Sequence, residues 1–215
     1  IKKMISTENI VVLIFIILAL AFPTFNGEYR TSAFANFYIA AILALSVSLV
    51  WGLTGIFSYG AVAFYGISGY LYALLSKSVS STVFTPVFCL AAVLVSAVLA
   101  AILGYFMFYG GINDMFVALI TLCVPLMICT YLGQTADSAY KLFGVPLGGY
   151  NGINGIPTIH IGSYPLKGNP FYFVVLAIML LLYFGLRLLS RHKMGYALIA
   201  IREHRLRSQL LGYNV

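Results

Sequence analysis

The side chains that could act as nucleophiles, acid–base groups or metal ligands are few and far apart in this sequence. They are three cysteines inside apolar runs and three histidines in unrelated contexts: Cys89, Cys123, Cys129, His160, His192 and His204. A free thiol in an apolar run behaves as a small hydrophobic group, and neither set has the spacing of a zinc site or a disulfide framework. The sequence therefore predicts no metal centre and no enzyme active site.

Nucleotide chemistry is not expected of this chain either. The loop that holds nucleotide phosphates, Gly-x-x-x-x-Gly-Lys-Ser/Thr, does not occur in the sequence. We therefore expect the chain to bind no cofactor and to hydrolyse no ATP itself. Nucleic acid is not an expected partner, although the formal net charge is +7. Half of the twelve basic residues lie within residues 187–207, beside an apolar block, where such residues usually record orientation in a bilayer.

The composition places these residues in a membrane protein. Of the 215 residues, 62% are hydrophobic and 8% are charged, against about 25% charged residues in a typical soluble domain. The apolar residues form long blocks, which predicts an all-α, polytopic helical bundle in one transmembrane domain over residues 1–215. The predicted membrane spans are residues 10–25, 34–51, 55–75, 86–109, 115–132 and 171–189.

The charges flanking these spans predict an orientation. Lys2 and Lys3 precede the first span, and the basic segment 187–207 follows the sixth, so six spans place both ends in the cytoplasm. The glycine-rich segment 133–170 is then an external loop. The first block also fits a cleaved signal peptide, because Ala19-Leu20-Ala21 resembles a cleavage site. We expect an uncleaved span, since several further spans follow it.

Two spans carry residues that disturb regular helices. Small residues are concentrated around the third span, at Gly52, Gly55, Ser58, Gly60, Gly66, Ser68 and Gly69. They indicate either close helix packing or a broken helix that lines a substrate path. In the fifth span, Pro125 frees the carbonyl of Thr121 and should kink the helix.

The stretch from Gly52 to Tyr70 resembles a segment of the branched-chain amino acid ABC transporter permeases. That family shows Gly-x-x-Gly, then Ser-Leu-Gly-His-Ala-Ala-Phe, then Gly-x-Gly-Ala-Tyr. The matching positions are Gly52, Gly55, Ser58, Gly60, Ala63, Phe64, Gly66 and Tyr70. Ala61 replaces the usual histidine, so no role of that imidazole carries over. A weaker match begins at Asp114, where Phe116 replaces the family's tyrosine. The candidate translocation path is Gly55, Ser58, Gly60, Phe64 and Thr121.

A second pattern lies in the predicted external loop and resembles the family's Gly-Gly-x-Asn-Gly-x-x-Gly-Ile-Pro, found in its M-type subunit. Its candidate site residues are Gly148, Gly149, Asn151, Gly152, Gly155 and Pro157. Physically, such a run supplies tight turns with positive φ. An ordinary turn-rich loop is the alternative interpretation.

A third pattern follows the sixth span and resembles the family's cytoplasmic coupling segment, here residues 191–215. The family form is Gly-Arg-Ala-Leu-x-Ala-Ile-Arg-Glu, later ending in Leu-Gly-Ile-Asn-Val. The candidate coupling residues are Gly195, Ala197, Ala200, Ile201, Arg202, Glu203 and Gly212; Leu198, Leu211, Asn214 and Val215 also match. Helical spacing places Ala197, Ala200 and Ile201 on one face. A basic helix lying on lipid headgroups is the alternative. Arg207, Ser208 and Gln209 depart from the family's two alanines and an acid.

The resemblance implies the permease subunit of an importer of branched-chain or related amino acids in the cytoplasmic membrane. Its implied partners are two ATP-binding cassette ATPase subunits, a second homologous permease subunit, an extracytoplasmic solute-binding protein and membrane lipid. Family members continue with further spans, so we expect truncation after Val215. The alternatives are a permease for urea, amides or sugars, and an ion-coupled transporter or channel. The spans carry almost no ionisable residues, which argues against the last of these.

Overall fold

The computed structural model describes residues 7–79, 82–137, 139–162 and 164–213. Lys2, Lys3, Asn214 and Val215, which entered the sequence argument, lie outside them. The described chain is mainly helical, with eight α-helices in the order α1 Thr7–Phe25, α2 Glu28–Thr54, α3 Gly60–Ser78, α4 Thr85–Tyr109, α5 Asp114–Gly133, α6 Asn169–Arg191, α7 Lys193–Glu203 and α8 Arg205–Leu210. Short 3₁₀ turns span Thr82–Phe84 and Gly149–Asn151.

Between α5 and α6 the chain forms two small antiparallel hairpins. The first pairs β1 (Lys141–Leu142) with β2 (Val145–Pro146), and the second pairs β3 (His160–Ile161) with β4 (Tyr164–Pro165). These hairpins and the intervening turn lie in the segment predicted as a loop, which we call the long loop.

Five helices among the described residues are long and apolar enough to span a membrane: α1, α2, α4, α5 and α6. The remaining predicted span corresponds to α3. This helix has 19 residues, or roughly 28 Å at 1.5 Å per residue, close to the thickness of the hydrocarbon core. Its glycine, serine and tyrosine residues make it less apolar than the other five.

The N-terminus of α1 and the C-terminus of α6 lie at the same end of the bundle, which we call the basic end. Arg187 donates hydrogen bonds to Glu8 (3.2 Å) and Asn9 (2.6 Å), and Arg191 reaches the same Glu8 carboxylate at 3.3 Å. These contacts join residues far apart in sequence. They agree with an even number of membrane crossings when α1 and α6 are both counted.

The opposite end of the bundle carries the long loop. Near the end of α3, the hydroxyl of Tyr72 donates to the Pro157 carbonyl (2.9 Å) and the ammonium of Lys77 donates to the Asn154 carbonyl (2.6 Å). At its other end, α3 follows the C-terminus of α2, which contacts Arg202 beyond α6. Helix α3 therefore runs from the basic end to the loop end, as each of its neighbours does in one direction or the other.

The helix bounds differ most from the prediction around the third span. Helix α2 extends to Thr54 and ends at Gly55, whose φ of +75° is left-handed. Residues 55–59 are irregular, so the third helix begins at Gly60 rather than at residue 55. Beyond that point α3 is continuous and packs closely on α4, where the Ser96 hydroxyl donates to the Phe64 carbonyl (2.7 Å). An irregular stretch and close helix packing, which the sequence offered as alternatives, therefore occur in neighbouring parts of the chain; the substrate path stays a prediction.

A buried polar network connects α1 to the packed pair α2 and α6. The hydroxyl of Tyr172 donates to the Ala19 carbonyl (2.8 Å) and lies 2.7 Å from the hydroxyl of Tyr38. Pro23 stands four residues after Ala19 and has no amide hydrogen, so that carbonyl has no donor within its own helix. The tyrosine replaces the donor that proline removed.

We expect Tyr172→Phe to destabilise the bundle by about 1–2 kcal/mol, because it deprives two buried groups of their partner. Thermal unfolding of the purified protein in detergent measures this loss. Tyr183→Phe, on the same helix, is the matched control and should leave the melting temperature almost unchanged. In a Pro23→Ala background the Ala19 carbonyl regains a helical donor, so the effect of Tyr172→Phe should shrink. Equal melting temperatures for the two phenylalanine variants would refute the network's role.

Candidate functional site

Four of the five candidate path residues line one cavity. Ser58, Gly60, Phe64 and Thr121 surround a space of about 170 Å³ between the start of α3 and the facing helices α4 and α5. The other lining residues are all apolar: Val50, Ile56, Ala100, Leu103, Gly104, Met107, Phe108, Val117 and Val124. The volume is below the roughly 300 Å³ at which pockets for small molecules begin. At this site the described residues therefore form a small, mainly apolar chamber with the side chains of Ser58 and Thr121 in its lining.

The hydroxyl of Thr121 holds the irregular segment 55–59 against this cavity. Its oxygen accepts a hydrogen bond from the Tyr59 amide (3.2 Å) and lies 2.9 Å from the Val117 carbonyl, to which it can donate. Nearby, the Ser58 hydroxyl accepts from the Gly60 amide at 3.2 Å. The sequence singled out Thr121 for the carbonyl freed by Pro125. In the structure it is the Thr121 side chain, through its bond to the Tyr59 amide, that contacts segment 55–59. Helix α5 continues through Pro125.

Gly55 lies away from this cavity and contacts the coupling segment. A Cβ atom on Gly55 would lie 2.7 Å from Cγ and 2.9 Å from Cδ of Arg202, whose aliphatic stem covers this glycine. The guanidinium of Arg202 also donates to the carbonyl of Gly52. The first and third sequence patterns are therefore in contact in the fold. This contact could not be predicted from the sequence, because the two patterns are far apart in the chain.

A single residue, His192, separates α6 from α7, and Gly195 allows the two helices to approach closely at this junction. Gly195 is buried, and a Cβ there would lie 2.5 Å from the Leu189 carbonyl oxygen and 2.6 Å from that of Ser190. Both neighbours are backbone atoms, so they cannot rotate away as a side chain would. The glycine of the third pattern therefore sets the angle between α6 and α7.

The three residues predicted on one face of α7 differ in exposure. Ala197 and Ile201 are half-buried against the bundle, whereas Ala200 is exposed. The exposed apolar groups of this region come largely from residues that the sequence did not single out. We call the following set the coupling surface: Met194, Tyr196, Ala200, Leu206, Leu210 and Leu211. Their exposure could not be read from the sequence, because it depends on which face of α7 the bundle covers.

The end of α8 is closed by a Schellman motif. Gly212, with a φ of +88°, donates its amide to the Gln209 carbonyl (2.9 Å), and the Tyr213 amide donates to the Ser208 carbonyl (3.1 Å). Ser208, one of the departures from the family pattern, is buried and donates its hydroxyl to the His204 carbonyl (3.1 Å). The coupling segment thus has defined local structure as far as Tyr213.

The glycine pattern in the long loop has the predicted backbone. Gly148, Gly149, Gly152 and Gly155 all have positive φ, between +57° and +77°. A Cβ on Gly148 would overlap the Gly152 carbonyl oxygen, so the loop is tightly closed on itself at this point. Asn151 ends the 3₁₀ turn in the same motif. Its last residue, Pro157, accepts the hydrogen bond from Tyr72.

Two larger grooves flank α3 beneath the long loop. One has a volume of about 570 Å³ and faces α5, and the other has about 600 Å³ and faces α2 and α4. Gly66 and Tyr70 of the first sequence pattern line both grooves, and the loop residues Gly149 and Gly152 line one each. The first two patterns therefore border the same spaces.

We expect the double variant Tyr72→Phe, Lys77→Met to loosen the long loop, because both side-chain contacts to α3 are lost. One net hydrogen bond of about 1 kcal/mol corresponds to a roughly fivefold change in the open population. The initial rate of trypsin cleavage at Lys141 and Lys167 in the purified protein should therefore rise several-fold. Tyr65→Phe, on the same helix, is the control and should keep the original rate. An unchanged rate in the double variant would show that these bonds do not order the loop.

Comparison with known proteins gives one match. A family model described as branched-chain amino acid transport system / permease component matches residues 29–215. The match begins in the first turn of α2, so it includes the cavity, the long loop and the coupling surface and leaves α1 outside. The searches of curated proteins and of solved structures returned no match.

Proposed function

The chain belongs to the family of branched-chain amino acid transport permease components, and from this premise we propose that it is the membrane-spanning permease subunit of an ATP-binding cassette importer. The observation that carries the proposal is the coupling surface. A family-matching segment at the basic end exposes apolar side chains beside Lys193, Arg205 and Arg207. Exposed apolar groups with a basic rim suit an acidic-rimmed groove on a soluble protein.

We place the basic end in the cytoplasm and the long loop outside. Basic residues next to membrane spans are concentrated on the cytoplasmic side, and Arg187, Arg191 and Lys193 lie at this end. Because α3 runs the full distance between the two ends, we propose that it is the sixth crossing. Its lower hydropathy is acceptable if one or both of its flanking grooves are covered by protein rather than by lipid.

The ATPase partners would act on the cavity through α7 and α8. Two ATP-binding cassette subunits would close on binding ATP and displace the coupling surface, and the bundle would respond by changing access to the cavity. The chain's own contribution is the contact between the coupling segment and the end of α2, a few residues before the cavity.

Branched-chain or related amino acids are the solutes that we propose. The chamber is lined by aliphatic groups suited to an aliphatic side chain, with the Ser58 and Thr121 hydroxyls on one side. Since about 170 Å³ is small for a whole amino acid in transit, we propose that a second, homologous permease subunit completes the path. An extracytoplasmic solute-binding protein would deliver the solute at the long loop.

An ion-coupled transporter is less well supported. All five acidic residues lie at helix ends or in loops, at positions 8, 28, 114, 137 and 203. Ion-coupled transporters usually place ionisable groups within their spans. Permeases for urea, amides or sugars share the same driving force, so the solute itself must distinguish them.

Uptake by proteoliposomes tests the proposed function. The full-length permease, reconstituted with its cognate subunits and binding protein, should accumulate labelled leucine with ATP and not with a non-hydrolysable analogue. Excess isoleucine or valine should compete, whereas urea and ribose should not. Uptake driven by a proton or sodium gradient without ATP would contradict the proposal. Competition by urea or ribose alone would change the solute and keep the class.

A further inference from the structure

Arg202 joins α7 to the end of α2 and is also paired with its neighbour Glu203 on α7. One guanidinium nitrogen donates to the carbonyl of Gly52, and the other two lie 2.6 Å and 3.1 Å from a carboxylate oxygen of Glu203. The aliphatic stem of Arg202 covers Gly55, where a Cβ would come within 2.7 Å of it. A single side chain on α7 therefore contacts both the last turn of α2 and the residue that ends it.

The chemistry of each group suits this contact. The Gly52 carbonyl is one of the last four of α2, which have no donor within the helix. A guanidinium at a helix C-terminus is favoured by the helix dipole and offers several donors in a fixed planar arrangement. The carboxylate of Glu203 takes two of these donors and so orients the third toward α2. Gly55 leaves the space through which the stem passes.

The chain that follows Gly55 leads directly to the cavity. Ile56 is 5% exposed and packs with Met107 and Val117 in a small apolar cluster. Three residues later the Tyr59 amide donates to Thr121 at the cavity wall. Segment 55–59 is thus held by Arg202 at one end and by Thr121 at the other, and between them Ile56 is packed in the apolar cluster.

We propose that Arg202 is a positioning residue that transmits movement of α7 to segment 55–59 at the rim of the cavity. Glu203 serves it by orienting the guanidinium, and Gly55 serves it by admitting the stem. This inference rests on the proposed function, because only a chain driven through α7 would use such a connection. It assigns to Gly55 a role in coupling rather than in contact with solute.

The test uses the reconstituted complex of full-length permease, ATP-binding subunits and binding protein. In Arg202→Met, which keeps an aliphatic stem and loses the donors, we expect leucine uptake per ATP hydrolysed to fall at least fivefold. The ATP-binding subunits should still co-purify in the original ratio. Arg202→Lys keeps the charge without the planar fork and should recover part of the loss. Arg187→Met removes a charge from the same end, on α6 before the coupling segment, and should leave the ratio unchanged.

A second readout separates transmission from mere stability of α7. Ser58→Cys is introduced in a variant without Cys89, Cys123 and Cys129, and its reaction rate with a maleimide is measured with and without ATP. ATP should change that rate at least threefold when Arg202 is present and have little effect in Arg202→Met. If Arg202→Met showed an ATP-dependent change of the same size and unchanged uptake per ATP, the positioning role of Arg202 would be overturned. The proposed function would still stand. Failure of the unsubstituted complex to take up leucine with ATP would overturn the proposed function and this inference together.

Discussion

A Gly195→Ala permease is expected to reach the membrane and assemble, yet to lose most of its transport. The added methyl group would lie 2.5 Å from the Leu189 carbonyl oxygen and 2.6 Å from that of Ser190. Because both are backbone atoms, α7 must move away from α6 to admit it, and the contact of Arg202 with Gly52 moves with it. We expect ATP-driven leucine uptake to fall by about tenfold or more. A loss of this size corresponds to a coupling free energy within the usual range of about 1–3 kcal/mol.

Gly185→Ala is the matched control for this variant. Gly185 lies on α6, and a Cβ there would meet no atom within 4 Å. The same change should leave uptake near its original value, or slightly favour the helix. Uptake and membrane abundance are measured together, so that loss of protein is not mistaken for loss of coupling. Full transport by Gly195→Ala would show that the angle between α6 and α7 is not critical.

A Gly60→Val permease should retain its coupling contacts and lose transport for a different reason. Gly60 is buried at the cavity, and a Cβ there would lie 3.2 Å from the Phe64 ring and 3.3 Å from the Ser58 hydroxyl. Three added carbon atoms would occupy part of a space of only about 170 Å³. Crowding against Phe64 and Ser58 costs about 1–3 kcal/mol, and a blocked path reduces solute flux further. We expect leucine uptake to fall by about tenfold or more, with nearly normal ATP hydrolysis.

Gly69→Val is the control, because it places the same side chain on the same helix where a Cβ would meet nothing within 4 Å. It shares the helix propensity cost of valine and leaves the cavity unfilled. The ratio of uptake to ATP hydrolysis should fall in Gly60→Val and stay near its original value in Gly69→Val. Unimpaired uptake by Gly60→Val would indicate that solute does not pass through this cavity.

Much of the architecture could be predicted from residue types in sequence order. The apolar blocks predicted the six long helices because each block is long enough to cross a bilayer and is ended by glycine, proline or charge. The glycine run at 148–155 predicted positive φ, because glycine has no Cβ and adopts such angles without a steric cost. The structure confirms this prediction. Ser58, Gly60, Phe64 and Thr121 were chosen from two separate patterns, and they meet at one cavity.

What could not be predicted depends on contacts between distant segments. Gly55 was grouped with the path because it belongs to the same glycine-rich pattern as Ser58, whereas the fold places it under the stem of Arg202. Tyr172 gave no signal in the sequence, since its role arises from the carbonyl that Pro23 frees on another helix. The exposed face of α7 likewise depends on the angle between α7 and α6. The sequence periodicity of α7 gives no information about that angle.

The contact between residue 200 and an ATP-binding subunit tests the central claim most directly. A photoreactive phenylalanine derivative replaces Ala200, which is exposed on α7, and in a parallel variant it replaces Tyr150, which is 84% exposed in the long loop. In the assembled complex, illumination should attach residue 200 to an ATP-binding subunit, with a change in yield when ATP is added, and residue 150 should not reach that subunit. Attachment of residue 200 to lipid alone, or of residue 150 to the ATP-binding subunit, would contradict the account.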